Sequence, residues 1–202
     1  MIPFILWGEC GNAIFMEDGM AKILFIVGSH RQNSFNKQLA NGIIAMIGAR
    51  AECSILDYTD VPILNQDEEY PAPEAVARLR VSVAAADALW VITPEYNASY
   101  PGLLKNVLDW LSRPVVRNDY ATPTVVRGKK ATISGAAGKS AAVHARKKLA
   151  ELLGFMGAEL FRDEGTGVAL GGESFGSDKL IINDEARKAI QKHVDGFLAF
   201  IG

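Results

Sequence analysis

Ile23-Leu24-Phe25-Ile26-Val27-Gly28-Ser29-His30-Arg31-Gln32-Asn33-Ser34-Phe35-Asn36 is the stretch on which the fold turns. Its first five residues form an unbroken apolar run of strand formers, the pattern of a parallel strand covered on both faces. The run stops at Gly28. After a short polar turn, Leu39, Ala40, Ile43, Ile44 and Ile47 recur at helical spacing until Gly48 supplies a stop. The turn therefore joins the carboxyl end of a buried strand to the amino end of a helix.

The same alternation continues outward. Residues 52–57, 88–93, 130–134 and 158–161 read as four further strands. Between them lie helical stripes marked by Val76, Leu79 and Val83, by Leu103, Leu104, Val107, Leu108 and Leu111, and by residues 141–153. Ile190, Val194, Phe197, Leu198 and Ile201 mark the buried face of a last helix. Five strand–helix alternations predict an α/β three-layer sandwich with a five-stranded parallel sheet. Five strands suit the flavodoxin-like order 2-1-3-4-5 better than a six-stranded dinucleotide fold. In such a sheet ligands bind beyond the carboxyl ends of the strands, where strands 1 and 3 diverge. The expected site loops are 28–36, 94–100 and 134–140.

Composition excludes several classes. The chain has 202 residues, 49% hydrophobic and 22% charged, with a net charge of −2. That is ordinary for a folded domain and unlike a disordered chain. Without a block of like charges it offers no nucleic-acid footprint and no polybasic membrane patch. No apolar run reaches the roughly 18 residues needed to span a bilayer. Cys10 and Cys53 form no CxxC and no disulfide framework, which predicts a reducing, cytoplasmic setting. Residues 1–19 contain a short apolar run but no basic residue, so a secretory signal fits poorly. They read as an extension outside the fold, with residues 20–202 as the domain.

Local chemistry leaves two uses open at each loop. In the first, Ser29, Arg31, Ser34 and Asn36 surround a helix amino terminus, a seat suited to a phosphate dianion. The same residues also suit a plain helix cap at Ser34 and a solvated Arg31, with His30 as a solvent-facing spacer. In the second, Pro94, Glu95, Tyr96 and Asn97 either flank a flat ring or form a turn over the core rim. There Ser99 is placed to cap the next helix, with Pro101 in its first turn. The third, 134–140, is rich in small residues that let a ligand approach the backbone. The role of its Lys139 stays open between a ligand and water.

Other chemistries fit poorly. Gly138-Lys139-Ser140 ends like a P-loop, but the glycine required five places before Gly138 is Ile133. No GxGxxG follows a strand, so a dinucleotide fingerprint is missing, and Asp57 reads as a strand-end turn residue. His144 and His193 have no partner ligand at i±4, and metal binding is not expected. No nucleophile pattern is present, and no catalytic protein residue is assigned.

The pairing of Gly28-Ser29-x-Arg31-x-x-Ser34-x-Asn36 with Pro94-Glu95-Tyr96-Asn97 carries a resemblance. Together with Pro101-Gly102-x-Leu104-Lys105-Asn106-x-x-Asp109-Trp110, these motifs resemble the NAD(P)H-dependent FMN reductases, a group with flavin, quinone, azo-dye and chromate reductases. The resemblance covers residues 22–202. It implies that Ser29, Arg31, Ser34 and Asn36, with Phe35 among them, hold the FMN phosphate. It also implies that Pro94, Glu95, Tyr96 and Asn97 border the isoalloxazine and ribityl chain, with Ser134, Gly135 and Gly138 near the pyrimidine. FMN as cofactor, NADPH or NADH as co-substrate, a small-molecule acceptor, ping-pong kinetics and a homodimer or homotetramer follow from the same resemblance. The competing expectations are a flavodoxin-like electron carrier without enzymatic activity and an interaction module that has lost FMN.

Overall fold

Each face of the first strand meets its own layer, which is why its apolar run needs no polar alternation. The computed structural model describes residues 19–162 and 164–202. The elements run β1 (Lys22–Val27), α1 (Phe35–Ile47), β2 (Glu52–Ile55), α2 (Glu74–Ala85), β3 (Ala88–Thr93), α3 (Gly102–Leu111), β4 (Lys130–Ala137), α4 (Val143–Phe155), β5 (Glu159–Leu160), β6 (Thr166–Ala169), α5 (Gly172–Ser177) and α6 (Asp184–Ile201). All strand pairs are parallel, in the order β2-β1-β3-β4-β5, so the fold is flavodoxin-like. Ile23, Phe25 and Val27 pack with buried residues of α1 and α6. Leu24 and Ile26 point the other way, into a cluster with α2, α3 and α4. Each such buried side chain contributes about 1.5–3 kcal/mol, and together they hold the three layers.

The right-hand side of the sheet differs from the sequence expectation. The fourth strand does not end at residue 134 but runs on to Ala137, so Ser134 and Gly135 belong to a buried strand and not to a loop. Ser134 Oγ accepts the Trp90 Nε1 hydrogen at 3.0 Å. A Cβ at Gly135 would lie 2.5 Å from the Thr93 carbonyl and 2.8 Å from Ala142 Cβ, so this crossing needs glycine. The fifth position is filled by two pieces. β5 pairs with the start of β4, and β6 pairs with its end, from Ser134↔Thr166 to Ala137↔Ala169. The segment 165–178, in which no pattern was legible, thus carries β6 and α5. The second strand ends at Ile55 rather than Asp57.

His193 of α6 is buried at 2% exposure, with Nε2 2.6 Å from Thr132 Oγ1 and the Trp90 and Phe161 rings beside it. Burial, with help from the Arg162 and Arg146 charges, pushes its pKa down to about 4. It is a neutral core residue at physiological pH. No helix among the described residues is long and apolar enough to cross a membrane. The expected extension at residues 1–19 falls outside the described residues, apart from Gly19.

Candidate functional site

β1 delivers the first loop to the site at Gly28, whose amide donates to the Ile92 carbonyl at 2.7 Å. Ser29 is buried, and its Oγ accepts only a long contact from the Arg31 amide (3.4 Å), leaving its proton available to donate. Ser34 is the N-cap of α1, and its Oγ accepts from the Asn36 and Lys37 amides at 3.2 and 3.4 Å. The Phe35 amide has no partner among the described residues, and it lies at the positive end of the helix. Arg31 Nη2 donates to the Asn33 carbonyl and, at 2.7 Å, to Asp178 Oδ1. Arg31 lies over the Phe35 ring, 5.0 Å from guanidinium carbon to centroid. Its Nε and Nη1 have no partner among the described residues. The hydrogen bond from Arg31 holds the Asp178 carboxyl below the usual aspartate range. Asn36 lines the pocket and also ties two elements together. Its Nδ2 donates to the Ala136 carbonyl (3.0 Å), and its Oδ1 accepts the Ala136 amide (2.9 Å). Asn36 therefore fastens α1 to the end of β4, and the Ala136 amide is occupied.

The second loop is built from capping and turn chemistry. Glu95 Oε2 accepts the His144 and Ala145 amides at 2.8 and 3.0 Å. It thereby caps α4, whose own N-cap residue, Ala142, has no side-chain donor or acceptor. Burial pushes the Glu95 carboxyl up, but hydrogen bonds from Ser140, Ala145 and His144 outweigh it and hold the pKa below the ordinary glutamate value. Tyr96 and Ser99 exchange backbone hydrogen bonds of 2.9 and 3.0 Å around Asn97 and Ala98, both left-handed at φ 52° and 55°. That is the geometry of a type I′ turn, which explains asparagine at 97. Asn97 sits at the exposed turn tip and does not line the pocket. Ser99 closes this turn instead of capping α3, which begins after Pro101.

These loops enclose a pocket of about 320 Å³ at the carboxyl ends of β1, β3 and β4, within the usual range for small-ligand sites. Ser29, Arg31, Ser34, Phe35, Asn36, Pro94, Glu95, Tyr96 and Gly138 line it, whereas Asn97, Ser134 and Gly135 do not. Ala136, Ala137, Leu170 and Phe175 complete the wall. Sequence reasoning missed Leu170 and Phe175. The one signal for Phe175 was an aromatic residue in an otherwise polar, glycine-rich segment. Phe175 stands edge-on to Phe35, centroids 5.6 Å apart, and is 58% exposed. The lining thus combines cation, hydroxyl and amide donors with flat, small and aromatic surfaces. Among the described residues no group of His, Cys, Asp and Glu is placed to hold a metal ion.

The sequence model of the NADPH-dependent FMN reductases matches residues 21–166. The chain belongs to the NADPH-dependent FMN reductase family. A 2-hydroxy-1,4-benzoquinone reductase of a Burkholderia species is 30% identical to this reductase over 181 residues, 89% of this chain and 96% of that relative. An NAD(P)H-dependent FMN reductase of Pseudomonas aeruginosa is 31% identical over 182 residues, again 89% of this chain, and 95% of its own. Among solved structures, the flavoenzyme NAD(P)H:(acceptor) oxidoreductase FerB from Paracoccus denitrificans matches with a TM-score of 0.78 at 31% identity, covering 90% of this chain and 97% of that one. This reductase is accordingly an oxidoreductase of the NAD(P)H-dependent FMN reductase type.

Proposed function

We propose that this reductase binds FMN in the pocket between loops 28–36 and 94–100 and reduces a small-molecule acceptor, a quinone in the first instance. The observation that carries this reading is the polarity of the pocket. Arg31, whose Nε and Nη1 have no partner among the described residues, lines the pocket beside the Ser29 hydroxyl and Phe35, a donor set suited to an anion such as a phosphate. Pro94, Tyr96 and Gly138 offer flat or small surfaces to a ring beyond it. When bound, FMN supplies the redox chemistry, taking a hydride from NADPH or NADH and giving it up to a quinone, free flavin, azo compound or metal oxyanion.

In this reading the residues around the pocket position and bind, and neither Glu95 nor a histidine serves as general acid. Glu95 is held as a carboxylate by the amides of α4, His193 is neutral and in the core, and the described contact of His144 is through its backbone. Nicotinamide and acceptor therefore use one ring face in turn. Steady-state double-reciprocal plots are expected to be parallel. Replacing His30, His144 or His193 singly should keep the hydride-transfer rate within about tenfold, short of the roughly 10²–10⁴ lost with a general acid or base. Tyr96→Ala should cost more, on the order of 10²-fold, if the ring shifts. Intersecting lines, or an FMN-loaded protein that neither nicotinamide bleaches in an anaerobic stopped-flow mixer, would sink the reductase assignment and promote an electron carrier.

The domain proper is assigned to residues 20–202, in a reducing compartment such as the cytoplasm. A chain that starts at Met20 is expected to fold and bind FMN like the full one, because it keeps the whole of β1, which begins at Lys22. The Glu52 amide donates to the Ala21 carbonyl at 2.9 Å, and the Lys22 amide donates to Asp87 Oδ2 at 2.7 Å. A clear fall in melting temperature or FMN affinity would overturn this. A homodimer or homotetramer is supported by Val115, Val116 and Tyr120, exposed at 58%, 61% and 76% on one connection. Light scattering on the eluted protein tests it.

A further inference from the structure

We propose that Asp178 is a positioning residue for the phosphate seat, restraining the Arg31 guanidinium through Nη2 so that one of its open donors, Nε or Nη1, is held ready for the phosphate of FMN. The proposal rests on the FMN reading above. An arginine that is half exposed, as Arg31 is, samples many rotamers and loses that freedom when it grips a ligand. Here three contacts restrain it before any ligand arrives. Two are local and come with the loop itself: the Phe35 ring below it and the Asn33 carbonyl. The third is Asp178 Oδ1 at 2.7 Å, from a residue 147 positions away in the chain.

The backbone that carries the Asp178 carboxylate is itself held. Its carbonyl accepts from Gln38 Nε2 at 3.1 Å, and Gln38 Oε1 accepts the Leu180 amide at 2.7 Å. Gln38 lies on α1, the helix whose amino end forms the seat, so seat and carboxylate are tied to one element. Both Asp178 and the guanidinium it meets are well exposed, and a pair of that kind adds little to stability. Its consequence is orientation. Both acceptors lie on one nitrogen, Nη2, which leaves Nε and Nη1, on different edges of the guanidinium, as single donors to a phosphate.

Charge alone predicts the opposite sign. Removing a carboxylate beside an anion seat should tighten anion binding, although exposure and salt screen that repulsion. The experiment titrates FMN and riboflavin, which lacks the phosphate, into wild type, Asp178→Asn, Asp178→Ala, Arg31→Ala and the Arg31→Ala/Asp178→Ala double variant, read by flavin fluorescence quenching. Asp178→Ala should raise the FMN Kd about tenfold, the scale of ordering one long side chain, and leave riboflavin within about twofold. Asp178→Asn keeps an acceptor and the fold, and should show a smaller loss of the same selectivity. In the Arg31→Ala background, removing Asp178 should change the FMN Kd less than about twofold. An FMN Kd that is unchanged or lower in both Asp178 variants overturns the proposal. So does a parallel loss of riboflavin, or a loss that persists without Arg31. If wild type itself shows no preference for FMN over riboflavin, the phosphate reading fails first, a result separable from all of these.

Discussion

Arg31→Ala is expected to weaken FMN binding by about 1.5–3 kcal/mol, roughly ten- to over a hundredfold in Kd, the range for a charge-assisted bond to a phosphate. The size of the effect follows from what remains. Without Arg31 the seat keeps the Ser29 hydroxyl and the Phe35 amide, both neutral donors. The half-exposed position of the guanidinium argues for the lower part of the range at physiological salt. Arg31→Lys should recover part of the loss, because an ammonium restores the charge but not the planar fork. Titration of FMN at ordinary and raised salt checks this, and an affinity unchanged by Arg31→Ala would remove the residue from the site.

Gly165→Ala is expected to destabilise the domain by about 3 kcal/mol or more, lowering the melting temperature by roughly 6–12 °C for a chain of this size. Gly165 has φ +57°, and a Cβ there would lie 1.9 Å from the Ile133 carbonyl oxygen and 2.7 Å from its carbon. The obstacle is backbone of a buried strand, so no flexible side chain can give way. Gly176→Ala is the control: nothing lies within 4 Å of its Cβ position, and its melting temperature should stay close to that of wild type. The damage should reach the pocket as well. Arg146, buried under this turn, donates to the Glu164 and Ala141 carbonyls, and so links it to the loop that presents Gly138. FMN affinity of Gly165→Ala should therefore fall along with stability. A variant that melts like wild type would show that the turn can move.

Most of the fold was legible because its signals are local. The run 23–27 reads as doubly covered strand from its composition, and Ser34 and Gly48 mark the ends of α1 by side-chain and backbone preferences. β6 was not legible. Thr-Gly-Val-Ala is short, and its one glycine, Gly167, answers a crowding from Ala141 and Arg146, more than 20 residues earlier in the chain. For the same reason the strand reads as ending at Ser134, with Gly135 in the loop: the glycine that lets β4 cross beside Thr93 is also a loop former.

The amino-acid pattern by itself determined the layer order, the edge of the sheet at which the pocket lies, and a short set of polar candidates near it, because periodicity and turn chemistry act over a few residues. Only the tertiary structure decided what each candidate does. Asn36 is occupied by Ala136, 100 residues on, and Glu95 by the amides at the start of α4. Asn97 is held in a turn, and Arg31 keeps donors free because Asp178 takes only one nitrogen. A donor or acceptor serves a ligand only if no neighbour in space has already claimed it, and those neighbours are set by packing, not by sequence spacing.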